Sequence, residues 1–134
     1  MAEIDRYVRE HAGQITPAVL EKLLAKLPLL KMEFTQIEAP GFPRLFEQLE
    51  FLADVVEDFA EGADREIPYV TVAEAAFALL SVHKHLGLLP EKPETAGHAD
   101  DSTVVRAVLT SNREALASYA ARHDVPWAGA LAKP

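Results

Sequence analysis

Six side chains able to do chemistry crowd into one stretch of this chain: His83, His85, Glu91, His98, Asp100 and Asp101. Imidazole and carboxylate are the ligand set of Zn²⁺, Mn²⁺ and Fe²⁺. A turn between two antiparallel helices would bring the end of one near the start of the next, close enough to share an ion. His83 and His85 are two residues apart, so on a helix they diverge by about 200° and cannot both ligate it. Glu91, His98, Asp100 and Asp101 are therefore the candidate metal ligands. Each also has an ordinary structural use, and that use is the expected one. Asp100 suits a helix N-cap, and Asp101 in a first turn favours the positive end of the helix dipole. Lys84 and His85 suit a helix C-terminus, and His83 falls on an apolar stripe with Val72, Ala76 and Leu79.

Other catalytic patterns are thin. Ser81 has no Gly-x-Ser-x-Gly elbow around it, and Ser102, Ser111 and Ser118 lie on one helix with no strand-to-helix turn. The 6 glycines are isolated from one another, so no glycine-rich phosphate loop exists. The chain contains 0 cysteines, which excludes disulfides, thiolate metal sites and cysteine nucleophiles. Its formal net charge of -8 repels phosphate backbones and anionic lipid, so nucleic acid is not an expected partner. The first residues lack the apolar run of a signal peptide. The most apolar segment, 75–82, is far short of the ~20 residues of a membrane span. The expected setting is the bacterial cytoplasm.

The elements that must position these groups read as helices throughout. Apolar residues recur at helical spacing, without strand-like alternation, over the 134 residues of one domain. A first helix over 2–12 should stop at Gly13. Thr16-Pro17 reads as an N-cap and first turn for a helix carrying Val19, Leu20, Leu23, Leu24 and Leu27, which Pro28 should break or kink, with Leu30, Phe34 and Ile37 carrying a further turn or two. A third helix over 43–61, ended by Gly62, turns Leu45, Leu49, Leu52, Val56 and Phe59 inward. Asp54, Glu57, Asp58 and Glu61 make its other side a solvated acidic face. Thr71-Val-Ala-Glu74 has the form of a capping box opening a helix over 72–86 that is apolar almost all round, as a central helix must be. A long last helix near 101–122 carries Val104, Val105, Val108, Leu109, Leu116, Tyr119 and Ala120 inward, with Asn112 close to the same face. Val125-Pro-Trp127 should fold back over it.

One region resembles a known family. Residues 67–108 are similar to the YkvA-like domain of unknown function. Its members enter an apolar helix through basic-Ile-Pro-Trp, turn at Pro-x-Asp-Leu-Ile-Pro-Asp, and start the next helix at Gly-Tyr-x-Asp-Asp. Here the entry is Arg65-Glu-Ile-Pro68-Tyr69, the turn His85-Leu-Gly-Leu-Leu-Pro90-Glu91, and the start Gly97-His98-Ala-Asp100-Asp101. Pro90, Gly97, Asp100 and Asp101 match the family. His85, Gly87, Glu91 and His98 stand where the family has proline, aspartate, aspartate and tyrosine. The resemblance implies a helical core over about 64–122 and carries no activity with it.

The expectation is an all-α single domain over 1–134, a compact bundle of about five helices with the helix near 72–86 at its centre. Its expected role is non-enzymatic: a protein-interaction or homo-oligomeric module whose partner is a protein or a second copy. Phe34, Phe42, Phe46, Phe51 and Trp127 would supply more apolar surface than one small core absorbs. The alternative is a metal-dependent or carboxylate-based enzyme at the Glu91/His98/Asp100/Asp101 turn.

Overall fold

The computed structural model describes the backbone of residues 2–35, 45–83 and 98–125, and the side chains of 6–35, 45–81 and 103–125. Six α-helices and no strand occur among the described residues: α1 (Ala2–Ala12), α2 (Pro17–Phe34), α3 (Leu45–Ala60), α4 (Tyr69–His83), α5 (His98–Ser111) and α6 (Arg113–Arg122). The centre falls where the apolar helix predicted it. α4 packs against α1, α2, α3 and α5, and buries Val72, Ala73, Ala75, Ala76, Ala78 and Leu79. Its small side chains let four neighbours approach. α2 lies on α3, and α1 covers the seam between α4 and α5.

Helix ends follow their local chemistry. Thr16 caps α2, its hydroxyl accepting the Val19 N–H at 3.3 Å with Pro17 in the first turn. Gly62 ends α3 with φ +84°, a conformation that suits a residue without Cβ. The Ala63 N–H then donates to the Asp58 carbonyl at 2.8 Å and the Gly62 N–H to that of Phe59 at 3.1 Å, the two bonds of a Schellman motif. α6 ends the same way: Val125 N–H donates to the Ala120 carbonyl at 3.0 Å. Here Asp124, at φ 56°, takes the place of glycine.

Three expectations are corrected. Of the outcomes expected at Pro28 the break is ruled out: α2 runs through it, and the further turns over Leu30 and Phe34 belong to the same helix. An interior proline costs about 3 kcal/mol; against it stand Leu27, Leu30 and Phe34, each at most 1% exposed, and Pro28 itself faces solvent. α4 begins at Tyr69, because the Pro68 carbonyl accepts the N–H groups of Thr71 at 3.0 Å and Val72 at 3.2 Å. Thr71 and Glu74 are therefore no capping box; both side chains are buried inside the bundle. The long last helix is two helices, α5 and α6, which is why the count exceeds five. They meet at Asn112, where φ is −112° and ψ 28°, while a helical ψ is about −42°.

Candidate functional site

The predicted metal turn cannot be assembled from the described residues. His85 and Glu91 lie outside them, as do the side chains of His83, His98, Asp100 and Asp101. The backbone does revise one role. α5 starts at His98, so Asp100 and Asp101 both sit within its first turn and Asp100 is not the N-cap. Among the described residues, no three His, Asp or Glu side chains come together to hold an ion.

Two other polar clusters are built instead, both around the last two helices. The first is buried between the start of α4 and the end of α5. Thr71 Oγ1 donates to Asn112 Oδ1 at 2.8 Å, and Asn112 Nδ2 donates to Glu74 Oε1 at 2.8 Å and to the Val108 carbonyl at 2.9 Å. The second Glu74 oxygen accepts Arg9 Nε from α1 at 3.1 Å. The Glu74 side chain is 2% exposed and that of Arg9 62%, so the guanidinium reaches in from the surface to a carboxylate at the bottom. Every polar atom of the Asn112 amide is used, as burial demands.

The second cluster ties α6 to the turn after α3. Asp64 has a side chain only 2% exposed and forms its hub. Arg122 donates to it through Nε at 3.0 Å and Nη2 at 3.1 Å, His123 through Nε2 at 2.7 Å, and the Glu66 backbone N–H at 2.9 Å. Burial alone would raise the Asp64 pKa. The Arg122, His123 and Glu66 hydrogen bonds outweigh it and hold the carboxyl at about 2, below its ordinary 3.8. Beside it Tyr119 O–H donates to Asp58 Oδ2 at 2.6 Å. The Tyr119 ring packs edge-on against Phe51 at 5.6 Å and lies 4.5 Å from the His123 ring. Burial, then the Asp58 carboxylate, push the phenol pKa up, so Tyr119 acts as a donor and not as a base.

Asp64 with His123 has the composition of an acid–base pair, but Asp64 is spent on four donors. Its strongest partner is a guanidinium, which cannot pass on a proton. The cluster's chemistry is that of a clamp.

Sequence reasoning missed this clamp. Asp64 followed two residues later by an N–H that it accepts is an Asx turn, and that much is visible locally. Its union with Arg122 and His123 across 58 and 59 positions is not. The acidic face expected on α3 also proved more than solvated. Lys31 of α2 donates to Asp54 at 3.3 Å and Glu57 at 3.0 Å, and Asp58 receives Tyr119.

Three of the five aromatic residues expected to be in surplus can be placed. Phe34 and Phe51 are buried and Phe46 is partly so, while Phe42 and Trp127 lie outside the described residues. Among the described residues the exposed large apolar side chains are Leu29 and Met32 of α2, Tyr7 of α1, Tyr69 and Val70 of α4, and Val125. Tyr7 is edge-on to Phe77 at 5.7 Å, and the His11 ring lies 4.3 Å from Tyr7. No helix among the described residues is long and apolar enough to cross a membrane. Compared with protein-family models, curated proteins and solved structures, the chain matches none.

Proposed function

We propose that this protein is a non-enzymatic helical interaction module of the bacterial cytoplasm that associates with a second copy of itself. The observation that carries the reading is the pair Leu29 and Met32, 51% and 63% exposed and three residues apart on one face of α2. What supports it further is the use to which the chemistry-bearing groups are put. Asp58, Asp64, Thr71, Glu74, Asn112, Arg122 and His123 each hold one helix to another. The charge of -8 argues for a protein partner over a nucleic acid. The likeness of residues 67–108 to the YkvA-like domain belongs to the same proposal and agrees with a core built on α4 and α5.

The test is light scattering on the chromatographed protein from micromolar to millimolar concentration, for the wild type and for Leu29→Glu with Met32→Glu. A wild type that dimerises and a double variant whose dimer is markedly weaker at unchanged helicity are expected; an unweakened double variant would remove Leu29 and Met32 from the interface. A monomeric wild type across the whole range would overturn the reading.

A further inference from the structure

The junction of α5 and α6 is held bent by what surrounds it, at a locally weak point, Thr110-Ser111-Asn112. From His98 to Arg122 the chain has neither glycine nor proline, and α6 itself is rich in alanine with Leu116, Glu114 and Arg113, all strong helix formers. The ladder nearly runs through: Asn112 N–H donates to the Val108 carbonyl at 3.1 Å and Leu116 N–H to that of Asn112 at 2.9 Å. What departs is Asn112, whose ψ of 28° lies roughly 70° from the helical value. Its side chain is gripped by Thr71 and Glu74 of α4 and bonds back to the Val108 carbonyl at 2.9 Å, and both sets of bonds favour the departure.

α6 is held on its far side by groups of α3 and the turn after it. Phe51 and Asp58 take Tyr119, and Asp64 takes Arg122 and His123. Straightened at Asn112, a rod from 98 to 122 would span roughly 37 Å, more than the ~30 Å of a small domain. α6 would then project beyond its own bundle, with Leu116, Tyr119 and Ala120 uncovered.

We infer that Asn112 is a hinge through which two copies of this chain exchange α6, each docking it on the Asp58/Asp64 clamp of the other. Exchange preserves every contact of the clamp, since the same residues meet between chains instead of within one. Its cost is the bent Asn112 network, which leaves Thr71 without the Asn112 acceptor and Glu74 with Arg9 as its remaining partner. The surface that recognises the second copy is then the one already complementary to α6: an acidic pair, Asp58 and Asp64, facing a phenol, a guanidinium and an imidazole. This is independent of Leu29 and Met32, which lie on α2.

Two variants separate hinge from stability. Asn112→Ala and Asn112→Gly both remove the side-chain bonds, but alanine favours a straight helix and glycine a broken one, by about 1 kcal/mol. Each is made alone and together with Glu66→Cys and Ala121→Cys, exposed positions beside the Glu66–Arg122 pair in a chain with 0 native cysteines, so that Asp64, Arg122 and His123 stay intact. After treatment with a flexible bismaleimide, Asn112→Ala is expected to give dimers linked between chains on a denaturing gel. Its dimer dissociation constant should be roughly thirtyfold below that of Asn112→Gly, because each dimer straightens two hinges and the propensity difference counts twice. The cysteine pair in the wild-type background covers the case in which Asn112→Ala does not fold. Refolded at rising concentration and then cross-linked, it should yield a growing share of interchain product. The inference is overturned if Asn112→Ala is as monomeric as Asn112→Gly. It is equally overturned by a dimer cross-linked only within each chain, or by a wild-type interchain share that stays near zero at every concentration.

Discussion

At the scale of single residues, the deciding side chains are buried polar ones, and Asp64 is the clearest. Its carboxyl is held at about 2 in the folded chain, against an ordinary 3.8. A depressed carboxylate contributes stability above its unfolded pKa and loses it as pH falls through the folded one. The difference amounts to about 2 kcal/mol, present above roughly pH 4 and gone below roughly pH 2. Urea unfolding measured from pH 6 to pH 2 should show this loss in the wild type. In Asp64→Asn that part of the slope should vanish, with lower stability at neutral pH because Arg122 has lost its counter-charge. If the two profiles run parallel, Asp64 is not ionised by the clamp. Glu74 poses the same problem of a buried charge, solved by Asn112 and Arg9. Glu74→Ala leaves Arg9 free in solvent but takes the Glu74 acceptor from the buried Asn112 amide, so it should lower the unfolding free energy by about 1–3 kcal/mol in urea melts.

At the scale of elements, the two Schellman ends make a matched pair of tests. Gly62 sits at φ +84°, where any side chain is disfavoured, and a Cβ there would come within 3.2 Å of the Arg65 guanidinium. Gly62→Ala should destabilise by about 1 kcal/mol. Asp124 makes the corresponding end of α6 at φ 56° with a side chain in place, so Asp124→Gly should be neutral or stabilising by up to about 1 kcal/mol. Thermal melts of both variants check the pair, and opposite signs are expected. The first of these ends was legible, because glycine after an acidic helix reads as a stop. The second was not: Asp124 carries no glycine signal, and its conformation is imposed by the bonds that close α6. Pro28 misled for a related reason. Its cost is local and visible, whereas the burial of Leu27, Leu30 and Phe34 that offsets it belongs to the packed bundle.

At the scale of the whole molecule, the competing proposals make different predictions about ligands. A structural role for Glu91, His98, Asp100 and Asp101 predicts that no divalent ion shifts the melting temperature of the metal-stripped protein. A filled site would behave otherwise. At 100 times its dissociation constant an ion adds about 2.7 kcal/mol, or roughly 10 °C for a domain of this size. A shift of that order for one ion, lost in Asp101→Ala, would replace the interaction module with the metal-dependent alternative. Self-association leaves a different trace, a melting temperature that rises with protein concentration and is indifferent to chelator.

The amino-acid sequence by itself determined the helical class, both ends of α1, the start of α2, the end of α3, the last residue of α6 and much of the core. Helical periodicity and capping are written in neighbours three and four apart, and α4 declares its central place by lacking a polar face. Tertiary structure decided what the polar residues are for. Thr71 and Glu74 have the spacing of a cap, yet Asn112, about forty positions away, takes both. Asp64 looks like one more loop acid until Arg122 and His123 arrive. Local spacing describes which bonds a backbone can offer. Only the packed chain decides which distant donor reaches a buried acceptor first, and in this protein that choice clamps α6 to Asp58 and Asp64.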